Sequence, residues 1–179
     1  MKVLGIDPGT RHCGWGVAMR EGTRVRHVAH GVIHLDPDAS LGVRLVKLEA
    51  DLDAIAKEFL PTAASIETLF FAKDLQAASK LGHARGVALL VCARAGLPIY
   101  EFAPALVKKS VAGSGRAEKV QVGRMVRMLL GLAELPAADA SDALALALTC
   151  LQAAPILAQQ NQAQESRTKN ALRPRPSKR

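Results

Sequence analysis

Hydrophobic residues along this 179-residue chain follow two rhythms. Short apolar runs suit strands, and stretches with apolar positions every three or four residues suit amphipathic helices. Val3, Leu4 and Ile6 form the first run, which ends on Asp7. Pro8-Gly9 stops it, because Pro cannot donate to a ladder and Gly favours the turn. Residues 13–19 and 25–34 read as second and third strands around a Glu21-Gly22 turn. Gly14 and Gly16 weaken the second strand and mark a close approach by a backbone or a ligand, or a bulge. Ser40 stands as a helix N-cap ahead of the stripe Leu45, Leu48, Leu52, Ile55 and Phe59, and Pro61 ends that helix. Ala63-Ala64-Ser65-Ile66 makes a fourth strand, and it too closes on a carboxylate, Glu67.

A long helix is predicted over residues 74–95. Its small residues Ala78, Gly82 and Gly86 share one face. Each helical glycine costs roughly 1 kcal/mol against alanine, so close packing on that face is expected. Residues 98–102 form a fifth strand and 103–112 a short helix. A helix over 117–132 carries the stripe Val122, Met125, Val126, Leu129 and Leu130. Asp139 opens a final helix to about residue 154.

Short links between the first three strands imply an antiparallel meander, and the later helical links imply parallel crossovers. The expected fold is α/β, a five-stranded mixed sheet with three antiparallel strands followed by two parallel ones, flanked by helices. One domain over residues 1–154 accounts for it. Beyond Pro155, Gln-rich and basic composition predicts disorder over 155–179.

Composition adds a partner class. The net charge is +8, and the pI is near 9.8. Such a balance suits a polyanion. Much of it lies at the end, where Arg167, Lys169, Arg173, Arg175, Lys178 and Arg179 oppose only Glu165. Electrostatics alone therefore fits a basic tail on a globular domain as well as a nucleic-acid enzyme. No apolar run reaches the ~20 residues of a membrane span, and the N-terminus lacks a signal-peptide pattern. A cytoplasmic protein without membrane partners is expected. Cys13, Cys92 and Cys150 are scattered, which argues against a zinc site or a disulfide framework. Alternation along the third strand puts His27 opposite to His30 and His34, so no metal site is expected there.

The chemistry is expected from carboxylates. If the fourth strand lies parallel to the first, Asp7 and Glu67 emerge at one sheet edge. Asp139 and Asp142 are three residues apart and share a helix face. Taken singly, Asp7 fits a turn, and Asp139 and Asp142 fit helix caps. Together they repel, by about 4 kcal/mol per pair at ~4 Å and an effective dielectric near 20. Protonation or a bound cation relieves that repulsion, and an oxygen-only donor set favours Mg²⁺ or Mn²⁺. Two such ions suit in-line displacement at a phosphodiester. Phe70 and Phe71 follow Glu67, where an aromatic ring can stack on bases or pack in the core. Lys73, Arg85, Lys108, Lys109, Arg116 and Lys119 are candidates for a phosphate path.

Five segments carry a resemblance: Leu4-Gly5-Ile6-Asp7-Pro8-Gly9-Thr10, Glu67-Thr68-Leu69-Phe70-Phe71-Ala72-Lys73, Lys80-Leu81-Gly82-His83-Ala84-Arg85-Gly86, Ala117-Glu118-Lys119 and Asp139-Ala140-Ser141-Asp142-Ala143-Leu144-Ala145. In this order they resemble the RuvC family of Holliday-junction resolvases. The resemblance implies a ribonuclease H-like fold and a homodimer. It also implies Mg²⁺-dependent paired nicks across a four-way DNA junction, leaving 5′-phosphate and 3′-hydroxyl ends, in recombination and repair. It places Asp7, Glu67, Asp139 and Asp142 at the family's acidic positions, although some members carry His at the position of Asp139. Lys108 and Lys119 match its DNA-contacting basic residues, and Phe70 its stacking aromatic. The RuvA–RuvB branch-migration complex is the implied partner. Other readings are a nucleotide-binding protein of the actin/hexokinase-like fold, which shares the Asp-x-Gly opening but needs two such domains, and a non-catalytic junction-binding module. A small pre-ribosomal-RNA nuclease family also shares the opening but lacks the Ala-Glu-Lys segment.

Overall fold

A computed structural model describes residues 1–68 and 75–171, with side chains for 1–68 and 78–154. The elements run β1 (Lys2–Asp7), β2 (His12–Glu21), β3 (Arg24–His34), α1 (Leu41–Phe59), β4 (Ala63–Glu67), α2 (Leu75–Arg94), β5 (Ile99–Phe102), α3 (Pro104–Ala112), α4 (Lys119–Leu130) and α5 (Ala138–Ala171). They form a five-stranded sheet in the order β3-β2-β1-β4-β5. β1, β2 and β3 are antiparallel neighbours, whereas β1–β4 and β4–β5 are parallel. This is the mixed sheet that the link lengths predict.

The sheet separates two apolar cores. On one face α3, α4 and α5 bury Val107, Val111, Val122, Val126, Leu144 and Leu148 with Val3 and Ala18. On the other, α1 and α2 bury Leu48, Leu52, Ile55, Ala88 and Val91 with Leu4, Ile6 and Val17. Of the predicted stripes, Leu48, Leu52 and Ile55 of α1 and Val122, Val126 and Leu130 of α4 are buried, Leu45, Phe59 and Met125 are half-buried, and Leu129 at the end of α4 is exposed.

Helix α5 lies directly on the centre of the sheet, and three glycines permit it. A Cβ on Gly5 would stand 1.9 Å from the Ala143 carbonyl oxygen, and one on Gly14 would stand 2.0 Å from that of Asp139. On Gly16 it would meet the Leu144 side chain at 2.7 Å. The close approach expected at Gly14 and Gly16 is therefore a helix backbone, with Gly5 the third member of the seam. Ser65, fully buried in β4, pins the same helix by donating to the Leu146 carbonyl at 3.0 Å.

Three local expectations change. Gly82 and Gly86 have nothing within 4 Å of an added Cβ, so that face of α2 is open among the described residues. Strand β3 carries an extra residue, Val28, where the β2 register shifts between Val17 and Ala18. This bulge turns His27 to the side of His30, with Nε2 and Nδ1 2.7 Å apart, so strict alternation fails there. Finally, α5 continues past Pro155 to Ala171 where composition pointed to disorder. Ala, Gln and Glu are good helix formers, and here propensity outweighs the missing proline N–H.

Candidate active site

Asp7 is the last residue of β1. The parallel ladder to β4 ends at Ile6 opposite Ile66, so the next residues, Asp7 and Glu67, leave side by side at one end of the sheet. Asp7 also faces Gly14 across the β1–β2 ladder. The turn after Asp7 is tied to α1, because Arg44 Nη1 donates to the Thr10 carbonyl at 2.8 Å. On the Gly14 seam sits the first turn of α5, which carries Asp139, with Asp142 one turn further on. A cavity of about 220 Å³ opens there. Asp7, Glu67 and Asp142 line it together with Pro104, Lys108 and Lys119. Pro104 starts α3 at the helix position that tolerates a missing N–H, and Lys108 follows one turn on. Lys119 opens α4, where Gln121 caps back onto the Glu118 N–H at 3.0 Å.

These charges perturb one another. The Asp7 carboxyl is pushed from 3.8 up to about 7, first by burial, then by Asp142 and Glu67, with Lys119 opposing. Glu67 is also raised, by burial and then by Asp142, against the pull of Lys119 and Lys108. Lys119 Nζ donates to Asp142 Oδ2 at 2.6 Å, and that bond raises the Lys119 pKa. The Lys119 side chain is 72% exposed, so solvent screens the pair and it exchanges partners at low cost. The buried Cys13 thiol beside Asp7 is pushed up to about 12 and stays protonated.

The donor set fits a hard divalent cation. Buried carboxylates that raise one another gain from positive charge, and carboxylate oxygens are the ligands Mg²⁺ and Mn²⁺ take. Among the described residues, no three His, Cys, Asp or Glu side chains are already drawn into a cage. The carboxylates repel one another, and Asp142 is turned to Lys119.

A family model described as "Crossover junction endodeoxyribonuclease RuvC" matches residues 3–150. The chain belongs to the RuvC family. A RuvC from Sorangium cellulosum (strain So ce56), named as a crossover junction endodeoxyribonuclease, is 55% identical over 154 residues, 86% of each chain. A solved Thermus thermophilus RuvC is 37% identical and superposes with a TM-score of 0.79, covering 87% of this chain and 96% of that one. A second structure, of the T. thermophilus RuvC in complex with a Holliday junction substrate, is 38% identical with a TM-score of 0.78, covering 83% and 92%. The chain is thus a nuclease hydrolase with the RNase H-like fold of its RuvC neighbours.

In this RuvC-family chain, Asp7, Glu67, Asp142, Lys108 and Lys119 meet around one cavity. Asp139 lies outside that lining. Its main chain rests on Gly14, and its charge raises Asp7. Phe70, with Phe71 and Lys73, lies outside the described residues. Arg85, a candidate for the phosphate path, bonds protein groups instead, the Glu67 carbonyl and the Glu101 carboxylate. Gly5 and Ser65 belong to the site's frame without being marked by the strand pattern. A lone serine inside an apolar strand was the available signal for Ser65, since a buried hydroxyl needs a partner.

Proposed function

We propose that this chain resolves four-way DNA junctions, making paired symmetric nicks that leave 5′-phosphate and 3′-hydroxyl ends in recombination and repair. The observation that carries the reading is the single cavity shared by Asp7, Glu67 and Asp142, rimmed by Lys108 and Lys119. A relative solved with a Holliday junction supports the substrate. Asp7, Glu67, Asp139 and Asp142 would hold Mg²⁺, two ions per site, with Mn²⁺ as a substitute. When bound, such ions activate water and stabilise the leaving oxygen of an in-line displacement. The protein's own groups orient the strand. Lys108 and Lys119 pair with phosphate oxygens, and Phe70 stacks on a base opened at the crossover.

The reading includes a homodimer, which places two such sites on one junction. The open small-residue face of α2, with Leu90 47% exposed on the same helix, supports it. The nuclease domain is residues 1–154. RuvA–RuvB is the proposed partner, and the cytoplasm the proposed compartment. Among the described residues no helix is long and apolar enough to cross a membrane.

The test is junction cleavage with and without Mg²⁺. Paired nicks at symmetric positions are expected with the ion only. Asp7→Asn should abolish nicking and leave junction binding intact. Cutting by the Asn variant would refute the role of Asp7, and indifference to four-way structure would refute the substrate.

A further inference from the structure

We propose that Arg85 is a positioning residue that aims Glu67 by gripping its main chain; this rests on the reading of Glu67 as a metal ligand. Glu67 is the last residue of β4, and its support on the β1 side has already run out, since that ladder stops at Ile66. On the other side Glu67 stands opposite Phe102, and the Thr68 N–H donates to the Phe102 carbonyl at 3.0 Å. The peptide between Glu67 and Thr68 is held by its N–H on the β5 edge, and its carbonyl, anti to the N–H in the planar trans unit, points the other way, past the end of the β1 ladder.

Arg85 supplies the hold on that carbonyl, so the peptide is gripped from both sides. From α2 its Nε donates to the Glu67 carbonyl oxygen at 3.2 Å, and its terminal Nη2 pairs with Glu101 on β5. One planar fork thus joins α2, the end of β4 and β5. The guanidinium suits this because its donors are fixed relative to one another, whereas a lysine ammonium would serve one acceptor loosely. The side chain is only 15% exposed. It lines a cavity of about 180 Å³ with Asp7, Pro8, Glu67, Thr68, Leu81 and Pro104, behind the carboxylate pair. The cations that pull the Glu67 carboxyl down are Lys119 and Lys108, which face it from α4 and α3. Arg85 touches the Glu67 backbone, so it acts on the direction of the carboxylate.

The experiment is a double-mutant cycle on metal affinity, read by calorimetric titration of Mn²⁺ into the metal-free full-length protein. Arg85→Gln should weaken Mn²⁺ binding about 10-fold, the lower end for a group that orients a metal ligand. Arg85→Gln added to Glu67→Gln should weaken it no further, because a residue acting through Glu67 has nothing left to act on. In single-turnover cleavage the half-saturating Mg²⁺ concentration should rise by the same factor, while junction affinity without divalent ions stays unchanged. Arg85→Lys should fall between wild type and Arg85→Gln. Unchanged Mn²⁺ affinity, full additivity with Glu67→Gln, or junction affinity falling in step would each overturn the proposal. If Arg85→Gln does not fold, Arg85→Lys and Glu101→Gln carry the same cycle. A non-additive Mn²⁺ effect in a protein that never cuts junctions would sustain the Arg85 role and sink only the resolvase reading.

Discussion

Gly14→Ala tests whether a helix backbone sets the distance between the acids. The new methyl carbon would stand 2.0 Å from the Asp139 carbonyl oxygen, where ordinary contact begins at 3.4 Å. The start of α5 must therefore retreat by about 1.4 Å, the difference between those distances, or β2 must yield by as much. Over-packing of this kind costs about 1–3 kcal/mol. In a chain of this size each kcal/mol lowers Tm by about 2–4 °C. The chemical effect should be larger, because misplacing reacting groups by about 1 Å can slow a reaction about 100-fold. Asp139 and Asp142 ride on the displaced turn, whereas Lys108 and Lys119 stand on other helices. Single-turnover junction cleavage should drop by about two orders of magnitude, with junction affinity in the absence of divalent ions retained. Gly42→Ala is the control: nothing lies within 4 Å of its added Cβ, so it should be neutral or stabilise α1 by up to about 1 kcal/mol. A Gly14→Ala protein that melts and cuts like wild type would refute the seam as the spacer.

Four further outcomes are expected. In metal-free protein the folded state holds the Asp7 proton more tightly than the unfolded chain does, because its carboxyl is raised from 3.8 to about 7. Stability should therefore fall as pH rises from about 4 to 7, by at most roughly 4 kcal/mol from this group. Thermal melts against pH should lose that slope in Asp7→Asn, which should be the more stable protein at pH 8. Lys119→Met should move the Asp7 titration further up, since Lys119 is the cation that opposes its rise; carboxylate NMR reads the midpoint, and no movement would contradict the electrostatic account. Ser65→Ala leaves the Leu146 carbonyl without its buried donor and should cost about 1 kcal/mol, seen as a lower Tm. Truncation after Ala154 should leave junction cleavage at low salt unchanged, and a loss there would assign the basic end a part in the reaction.

The strands and their order of appearance were legible because apolar runs, turns and helical links each follow from short-range chemistry. Asp7 and Glu67 are legible as carboxylates closing apolar strands, and the helix between β3 and β4 implies a parallel crossover, but that β4 lies beside β1 is seen only in the folded sheet. Other features depend on encounters between distant residues. No local pattern marks Gly5 as a seat for Ala143 or pairs Arg85 with the Glu67 carbonyl; these arise only when α2 and α5 are packed on the sheet. The face of α2 bearing Gly82 and Gly86 misled for the same reason, since small residues signal an approach without saying whether the chain's own elements supply it. His27 and His30 show the limit within one strand: a single inserted residue, Val28, reverses the alternation that the pattern assumes.

That insertion bears on how the protein behaves when concentrated. β3 and β5 are the two open borders of the sheet. Among the described residues no further strand pairs with either border, and such an edge is the usual template for aggregation. β5 is only four residues long, and the longer β3 is bent by its bulge and carries Arg24 and Arg26. Short length, a kink and like charges are the devices that discourage strands of neighbouring molecules from joining. A basic protein gathered at high density along a polyanion is thereby kept from polymerising through its own sheet.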